Sequence, residues 1–468
     1  MPQDLLQRRA LIKLTHSLKL NQELSSNNEP NSFECCKQKF IDEGLLKKHL
    51  IQNHSDWIQS KKLEIDNHDK SKLNHQQFLK EYTKRRCDKG GSDPIELNCD
   101  CNNNGTVLLF YNYVALQDSK SITTLLSNHC HQLNLTGKVR ISNEGYNITV
   151  AGSTNEINSF IDLFLNQSDI LLPGFDLLEN QKELIDQFIF QFFKPTLGCI
   201  HVFQNMSVKY VEEICPLNVS KSYWDPQIPC TSLNVARKLQ SHHSKNLNPT
   251  SITHTETDVI QTLLPSEYHQ LLKSSSHDSN TIILDVRNYY ESKLGHFKNS
   301  ITPPIRKFST LPEYIKNNSQ QFKDKTIFTY CTGGIRCEKA ARYIQNETGS
   351  NIIMLEGGIH NYINWINESN EESLFQGLNY IFDARQSIKH SNDTIITNCL
   401  YCKQKCGIYK KCSSKNCHLL VECCQSCFDL HDKQIFCCHD CQHQTGTICE
   451  CERNRLDDLS ISRNNLEK

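Results

Sequence analysis

A chain of 468 residues has room for about three or four domains. Its 51 Lys and Arg against 52 Asp and Glu leave a formal charge of −1, so no global field points to nucleic acid or an anionic membrane. No apolar run approaches the ~18 residues of a membrane span, and the N-terminus lacks a secretory signal pattern.

The expected location is therefore the cytoplasm. The basic, leucine-containing stretch from Leu5 to Leu20 leaves a mitochondrial alternative, ranked below a plain solvated helix because Asp4 is present and serines are few. Residues 1–60 read as a helical segment with a degenerate C2H2-like finger. Cys36, Phe40, Leu46, His49 and His54 follow the second half of such a finger. The first half is damaged: Phe33 stands near the first cysteine's place, and Cys35 abuts Cys36. Weak metal binding by Cys36, His49 and His54 is one expectation, and a helical hairpin with a Phe and Leu core is the other.

Residues 61–104 are charged and Asn-rich and read as a linker. Over 105–205 the pattern is ordered. Val107 to Val114 predicts a strand, Ser121 to Leu133 a helix, Lys138 to Ile141 and Asn147 to Val150 two strands, and Glu156 to Leu165 a helix. Phe188 to Phe193 and Ile200 to Phe203 are further strand candidates. The β-α-β-β-α order predicts a ferredoxin-like or acylphosphatase-like α+β domain. Residues 206–256, rich from 216 in Ser, His, Asn and Thr, read as a connector.

From 257 to 385 strands and helices alternate, which predicts a parallel sheet covered on both faces. Thr281 to Val286 is a β-branched strand ending in Asp285 and Arg287, and Thr326 to Tyr330 is a second. Next come Cys331, Thr332, Gly333, Gly334, Ile335 and Arg336, a C-x4-R loop, and then a helix-like run. Loop amides and a helix N-terminus favour an anion, so the Cys331 thiol is a candidate thiolate nucleophile. Gly333 and Gly334 let the loop curl, and Arg336 adds a fixed charge. Asp285 and Arg287 either orient loop and substrate or form a structural strand-end ion pair. The competing reading of Cys331 is an inert buried cysteine before a helix.

A C-x5-R loop would be the phosphatase form; the shorter loop resembles rhodanese. The longer run from Tyr330 to Lys339 resembles the bacterial tRNA uridine 5-hydroxylase family and its eukaryotic rhodanese-like relatives. Glu144 to Asn147, Asp285 to Asn288, Leu355 to Ile359 and Phe382 to Arg385 carry the same likeness, over about residues 105–445. The resemblance implies an α/β multidomain chain: an acylphosphatase-like α+β domain, a rhodanese domain with a parallel sheet, and a cysteine-rich module. It further implies that Cys331 is the catalytic cysteine in hydroxylation of a tRNA wobble uridine. Two alternatives stay open: sulfur transfer from thiosulfate or a persulfide, and a non-enzymatic zinc-containing RNA or protein adaptor. No flavin, haem or iron motif is evident.

Of 24 cysteines, 13 lie between Cys399 and Cys451, within residues 386–451, before a tail at 452–468. C-x2-C spacing without a secretory signal reads as zinc rather than disulfides. Ten cysteines match the family: Cys399, Cys402, Cys406, Cys412, Cys417, Cys424, Cys427, Cys437, Cys438 and Cys441. They suffice for two structural zinc ions. Cys449 and Cys451 fall outside this pattern. Interleaved lysines, Lys403, Lys405, Lys410, Lys411 and Lys415, make RNA contact or a solvated face equally good readings.

Overall fold

The computed structural model describes residues 11, 14, 33–36, 38–40, 42–62, 105–178, 181–221, 228, 230–247, 260–275, 278–369, 371–388, 394–415, 417, 419–443 and 448–464. Most of the segments read as an N-terminal helix and a linker lie outside the described residues. The chain divides into two compact units, Met1–Asp88 and Lys89–Lys468.

In the first unit, β1 (Phe33–Cys35) pairs antiparallel with β2 (Gln38–Phe40), and α1 (Glu43–Asn53) follows. Cys36 turns the hairpin at φ +53°. The Asp42 side chain caps α1 by accepting from the Leu45 N–H. Leu46 and Leu50, one turn apart on α1, pack with Cys35 and Ile58. The hairpin-then-helix order replaces the helical hairpin considered from sequence.

The second unit opens with a five-stranded sheet in the order β6-β3-β5-β4-β7. Its strands are β3 (Thr106–Tyr113), β4 (Thr136–Ser142), β5 (Gly145–Gly152), β6 (Thr196–Leu197) and β7 (Met206–Tyr210). Helix α2 (Ser119–Gln132) starts at the Asp118 cap, and α3 (Thr154–Asn166) at a capping box of Ser153 and Glu156. Strand alternation gives β3 two roles. Leu108 and Phe110 face the helices and join Phe160, Phe164, Phe188 and Phe193 in the core. Tyr111 and Tyr113 face the other way and meet the cysteine loop described below.

Two strand expectations here fail. Residues 182–193 are helical: α4 (Lys182–Phe188) continues as a π turn over Ile189–Phe193. The 188, 192, 193 spacing places three phenyl rings in one core, which a strand would have split between faces. Ile200–Val202 is a single 3₁₀ turn. The stretch read as a connector supplies β7, which runs parallel to β4, and α5 (Thr231–Leu247), whose Val235, Ala236 and Leu239 complete the same core.

A four-stranded parallel sheet follows in the order β8-β12-β11-β9. Its strands are β8 (Ile260–Leu263), β9 (Thr281–Asp285), β11 (Thr326–Tyr330) and β12 (Asn351–Leu355). Helices α6 (Pro265–Ser274), α7 (Tyr289–Leu294), α8 (Ile335–Thr348) and α9 (Gly358–Glu368) accompany it. Residues Ile327 to Tyr330 are all buried, as a strand covered on both faces requires. Outside the sheet, β10 (Gly295–Phe297) pairs with β13 (Phe375–Gly377). The cysteine-rich part holds an antiparallel pair, Tyr409–Lys411 with Leu420–Glu422, and its buried surface is largely sulfur. The segment read as a tail forms α10 (Glu450–Asn464), with Arg455 bonded to Glu452 and to the Pro304 carbonyl. No helix among the described residues is long and apolar enough to cross a membrane.

Candidate active site and thiolate clusters

Cys331 follows the last residue of β11 at the carboxyl edge of the parallel sheet, where the loop turns into α8. The Gly334 N–H donates to the Cys331 sulfur at 3.1 Å. Gly334 takes φ +102°, which only glycine adopts without strain, and Tyr111 Oη would lie 2.7 Å from any Cβ there. Burial acts to raise the Cys331 thiol. The Cys337 thiol, the Arg336 charge and the N–H groups of Arg336 and Cys337 outweigh it and bring the pKa down to about 5. The same neighbours leave Cys337 a thiol, raised by its own burial and by Cys331. The loop is thus a cradle for an anionic sulfur.

Arg336 does not stand free. Its guanidinium donates to both carboxylate oxygens of Glu291, at 2.6 and 2.7 Å, and to Thr332 Oγ1 at 3.0 Å. Burial acts to raise Glu291, but Arg336 more than offsets it and holds the carboxyl below its ordinary range. Sequence reading missed Glu291. Its signal was Asn288-x-x-Glu291, a capping box that starts α7 and aims the carboxylate at the loop.

Asp285 and Arg287 pair with each other. Arg287 Nη2 lies 2.7 Å from Asp285 Oδ2 and donates to the Gly295 carbonyl at 2.5 Å. Both are fully buried, so the pair ties the end of β9 to the start of β10 beside the loop.

The acylphosphatase-like sheet forms the other wall. Tyr111 Oη donates to Glu338 Oε1 at 3.3 Å, and Tyr113 Oη to the Ile335 carbonyl at 3.3 Å. Leu109 packs on Gly333. Buried Lys339 of α8 bonds Glu144 at 3.0 Å and Glu213 at 2.6 Å. Arg385 pairs with Asp383 and donates to Thr196 Oγ1 and the Leu197 carbonyl on β6. The segments around Glu144, Lys339 and Arg385 therefore bind the two sheets into one body around Cys331.

Beside the loop lies a cavity lined by Gly334, Cys337, Glu338, Lys194, Lys238 and Glu356. Lys238 and Glu356 form an ion pair. Burial lowers Lys194 to about 8, partly offset by Glu356 and Cys331. Burial raises Glu338 to about 7, partly offset by Arg342 and Tyr111. Sequence reading had no route to Lys194, which reaches the cysteine only through packing, whereas Glu338 stands in the first turn of α8, within the run that follows Cys331.

The cysteine-rich part gathers its thiols. Cys399, Cys402, Cys424 and Cys427 bring four sulfurs within 4.8 Å of one another, as do Cys412, Cys417, Cys437 and Cys441, and Cys437, Cys438, Cys441 and Cys449. Tetrahedral zinc with Zn–S near 2.3 Å sets its sulfurs about 3.8 Å apart. Cys402 and Cys424 lie at 3.8 Å, so the donor set fits such an ion. Cys406 stands outside these groups, and its thiol donates to the Ile408 carbonyl. Cys449, set outside the pattern from sequence, is buried within the cluster. Lys410 is buried over the Phe428 ring, while Lys403, Lys405 and Lys415 are exposed.

In the first unit Cys35, Cys36, His49 and His54 also converge within 4.8 Å. His54 Nε2 lies 3.3 Å from Cys35 Sγ and 3.0 Å from Cys36 Sγ. His49 Nε2 is buried without a hydrogen-bond partner, as a ligand nitrogen would be. Cys35, which the sequence reading set aside, thus stands as a fourth candidate donor: the turn at Cys36 brings adjacent sulfurs close together.

Residues 105–214 match the family described as UPF0176 acylphosphatase like domain, 265–364 the Rhodanese-like domain, and 376–442 the Rhodanase C-terminal. The chain is 30% identical over 319 residues to a tRNA uridine(34) hydroxylase of Acholeplasma laidlawii, covering 67% of this chain and 83% of that one. It is 29% identical over 314 residues to the namesake of Lactococcus lactis, covering 67% and 82%. It is also 30% identical over 355 residues to Rhodanese-like domain-containing protein 6 of Arabidopsis thaliana, covering 73% of this chain and 54% of that protein. With the cysteine loop and its sheet wall inside residues matched by these family models, and 83% of the Acholeplasma relative covered at 30% identity, the chain belongs to the tRNA uridine(34) hydroxylase family.

Proposed function

We propose that this chain is a rhodanese-type cysteine enzyme that hydroxylates C5 of the wobble uridine in tRNA, with Cys331 as nucleophile. The observation that carries this reading is the Cys331 sulfur, 3.1 Å from the Gly334 N–H in a C-x4-R loop that favours its thiolate, in a chain 30% identical to a tRNA uridine(34) hydroxylase over most of both lengths. The thiolate adds to C6 of the uracil ring, and the displaced pair makes C5 electron-rich. C5 gives that pair to the terminal oxygen of a peroxide-class oxidant, so the C–O bond forms as the O–O bond breaks and the departing oxygen leaves with that bond's pair and takes a proton. Loss of the C5 proton and of the C6–S bond restores the ring double bond and returns the thiolate. Glu338 has a proton affinity suited to accepting the C5 proton near neutral pH. The test is mass spectrometry of tRNA nucleosides from cells lacking the protein, rescued with wild type or Cys331→Ala. Loss of a 5-hydroxyuridine-derived nucleoside, restored by wild type alone, supports the reading. An unchanged profile rejects it.

Sulfur transfer is the second reading, favoured by one feature: the C-x4-R cradle is sized for a sulfur anion. Turnover of thiosulfate to an acceptor, with nucleosides unchanged, would establish it instead.

Structural zinc completes the proposal. The Cys399, Cys402, Cys424, Cys427 tetrad takes one ion and the group from Cys412 to Cys441 a second. The Cys35, Cys36, His49, His54 set takes one more in the first unit. Closed four-ligand sites of this kind stabilise small modules with little apolar core.

A further inference from the structure

The sulfur groups beyond Cys412 are not separate tetrads. Cys437 and Cys441 belong to both of them. Around one tetrahedral ion each sulfur has three sulfur neighbours, at about 3.8 Å. The Cys399, Cys402, Cys424, Cys427 group shares no member with another and accords with one ion. Cys437 does not. Its Sγ lies 3.4 Å from Cys441, 3.6 Å from Cys417, 3.7 Å from Cys449 and 3.9 Å from Cys438, and Cys412 shares its tetrad. One tetrahedron cannot surround a ligand sulfur in this way; two tetrahedra that meet at that sulfur do. Cys449 also lies 3.6 Å from Cys417, so the six sulfurs form one continuous body.

We propose that the C-terminal module carries a two-zinc thiolate cluster in which Cys437 bridges the ions. Cys412 and Cys417 belong to one ion and Cys438 and Cys449 to the other, with Cys441 as the second shared sulfur. Charge favours two ions over one. Cys412, Cys417, Cys441 and Cys449 are each at most 8% exposed. Six thiolates around a single dication would leave a charge of −4 in that space, against −2 with two. Cys449 lies outside residues 376–442, so the second ion depends on a ligand beyond the matched C-terminal family. The inference adds one ion to the zinc complement proposed above and does not depend on the reaction at Cys331.

The test uses the full chain as purified. Zinc-edge X-ray absorption of the wild type should show a zinc–zinc vector shorter than about 4.6 Å, twice the Zn–S bond. Cadmium-113 spectra of the exchanged protein should show one coupled pair of resonances beside isolated ones. Native mass spectrometry of Cys449→Ser should read one zinc fewer than wild type, with the vector lost. A wild type with neither vector nor coupled pair overturns the cluster, whether or not the variant folds. A folded Cys449→Ser that keeps both its zinc count and its vector overturns the assignment of Cys449.

Discussion

Arg336 and Glu291 lie 45 residues apart and form a buried, two-pronged ion pair at 2.6 and 2.7 Å beside the cysteine loop. The charge that acts on the Cys331 sulfur is thus partly neutralised. This lets the arginine be buried and fixes its plane, so its position relative to the thiolate is set before substrate arrives.

Glu291→Gln should therefore destabilise the fold by about 3–5 kcal/mol, since it strands a buried guanidinium. The pH dependence follows from the lowered Glu291 carboxyl. A group depressed below its unfolded value near 4.3 stabilises fully above that pH and loses this contribution as pH falls through its folded value. Urea denaturation from pH 7 to pH 3 should show this loss in wild type and a flatter profile in the variant. Arg336→Lys keeps the charge but loses the fork, and should also cost stability.

The Cys331 thiolate should persist to about pH 5. Alkylation by a small reagent, followed by peptide mass spectrometry, should show a rate midpoint near that value rather than near the ~8.5 of a free thiol. Cys337→Ala removes a hydrogen-bonding thiol and should move the midpoint up. An unmoved midpoint would leave the loop amides and Arg336 as the whole cause.

Glu338→Gln should lower turnover more than substrate affinity, by about 10²–10⁴-fold if Glu338 accepts the C5 proton. Wild-type turnover should rise with pH through about 7, the value to which burial raises this carboxyl, and the variant should lack that limb. Tyr111→Phe removes the hydroxyl bonded to Glu338 and should shift the limb upward.

Gly334→Ala should cost about 1–3 kcal/mol and most of the activity, because a left-handed non-glycine residue would also press on Tyr111. Chemical denaturation and the nucleoside assay together check it.

Cys399→Ser should release one zinc from the full chain, while Cys406→Ser should release none, since its thiol serves the Ile408 carbonyl. Native mass spectrometry reads both. The stability loss should fall on the variant that loses its ion.

The local signals were strong where the chain itself carries the constraint. The apolar run of β3 and the strand–glycine loop–helix run around Cys331 each set their geometry within a few residues. The Cys331 loop and its place between strand and helix were therefore legible from the amino acids alone. What required the tertiary structure is everything that reaches Cys331 from a distance. Lys194 stands near the loop because a separate element packs there, and the Asn288-x-x-Glu291 capping box orients Glu291 without recording that it meets Arg336. The aromatic run at 188–193 is strand-like by composition, yet it is helical because one core receives all three buried rings. Cys35 and Cys449 became ligand candidates only when a tight turn and a returning segment carried their sulfurs to clusters that spacing alone did not predict.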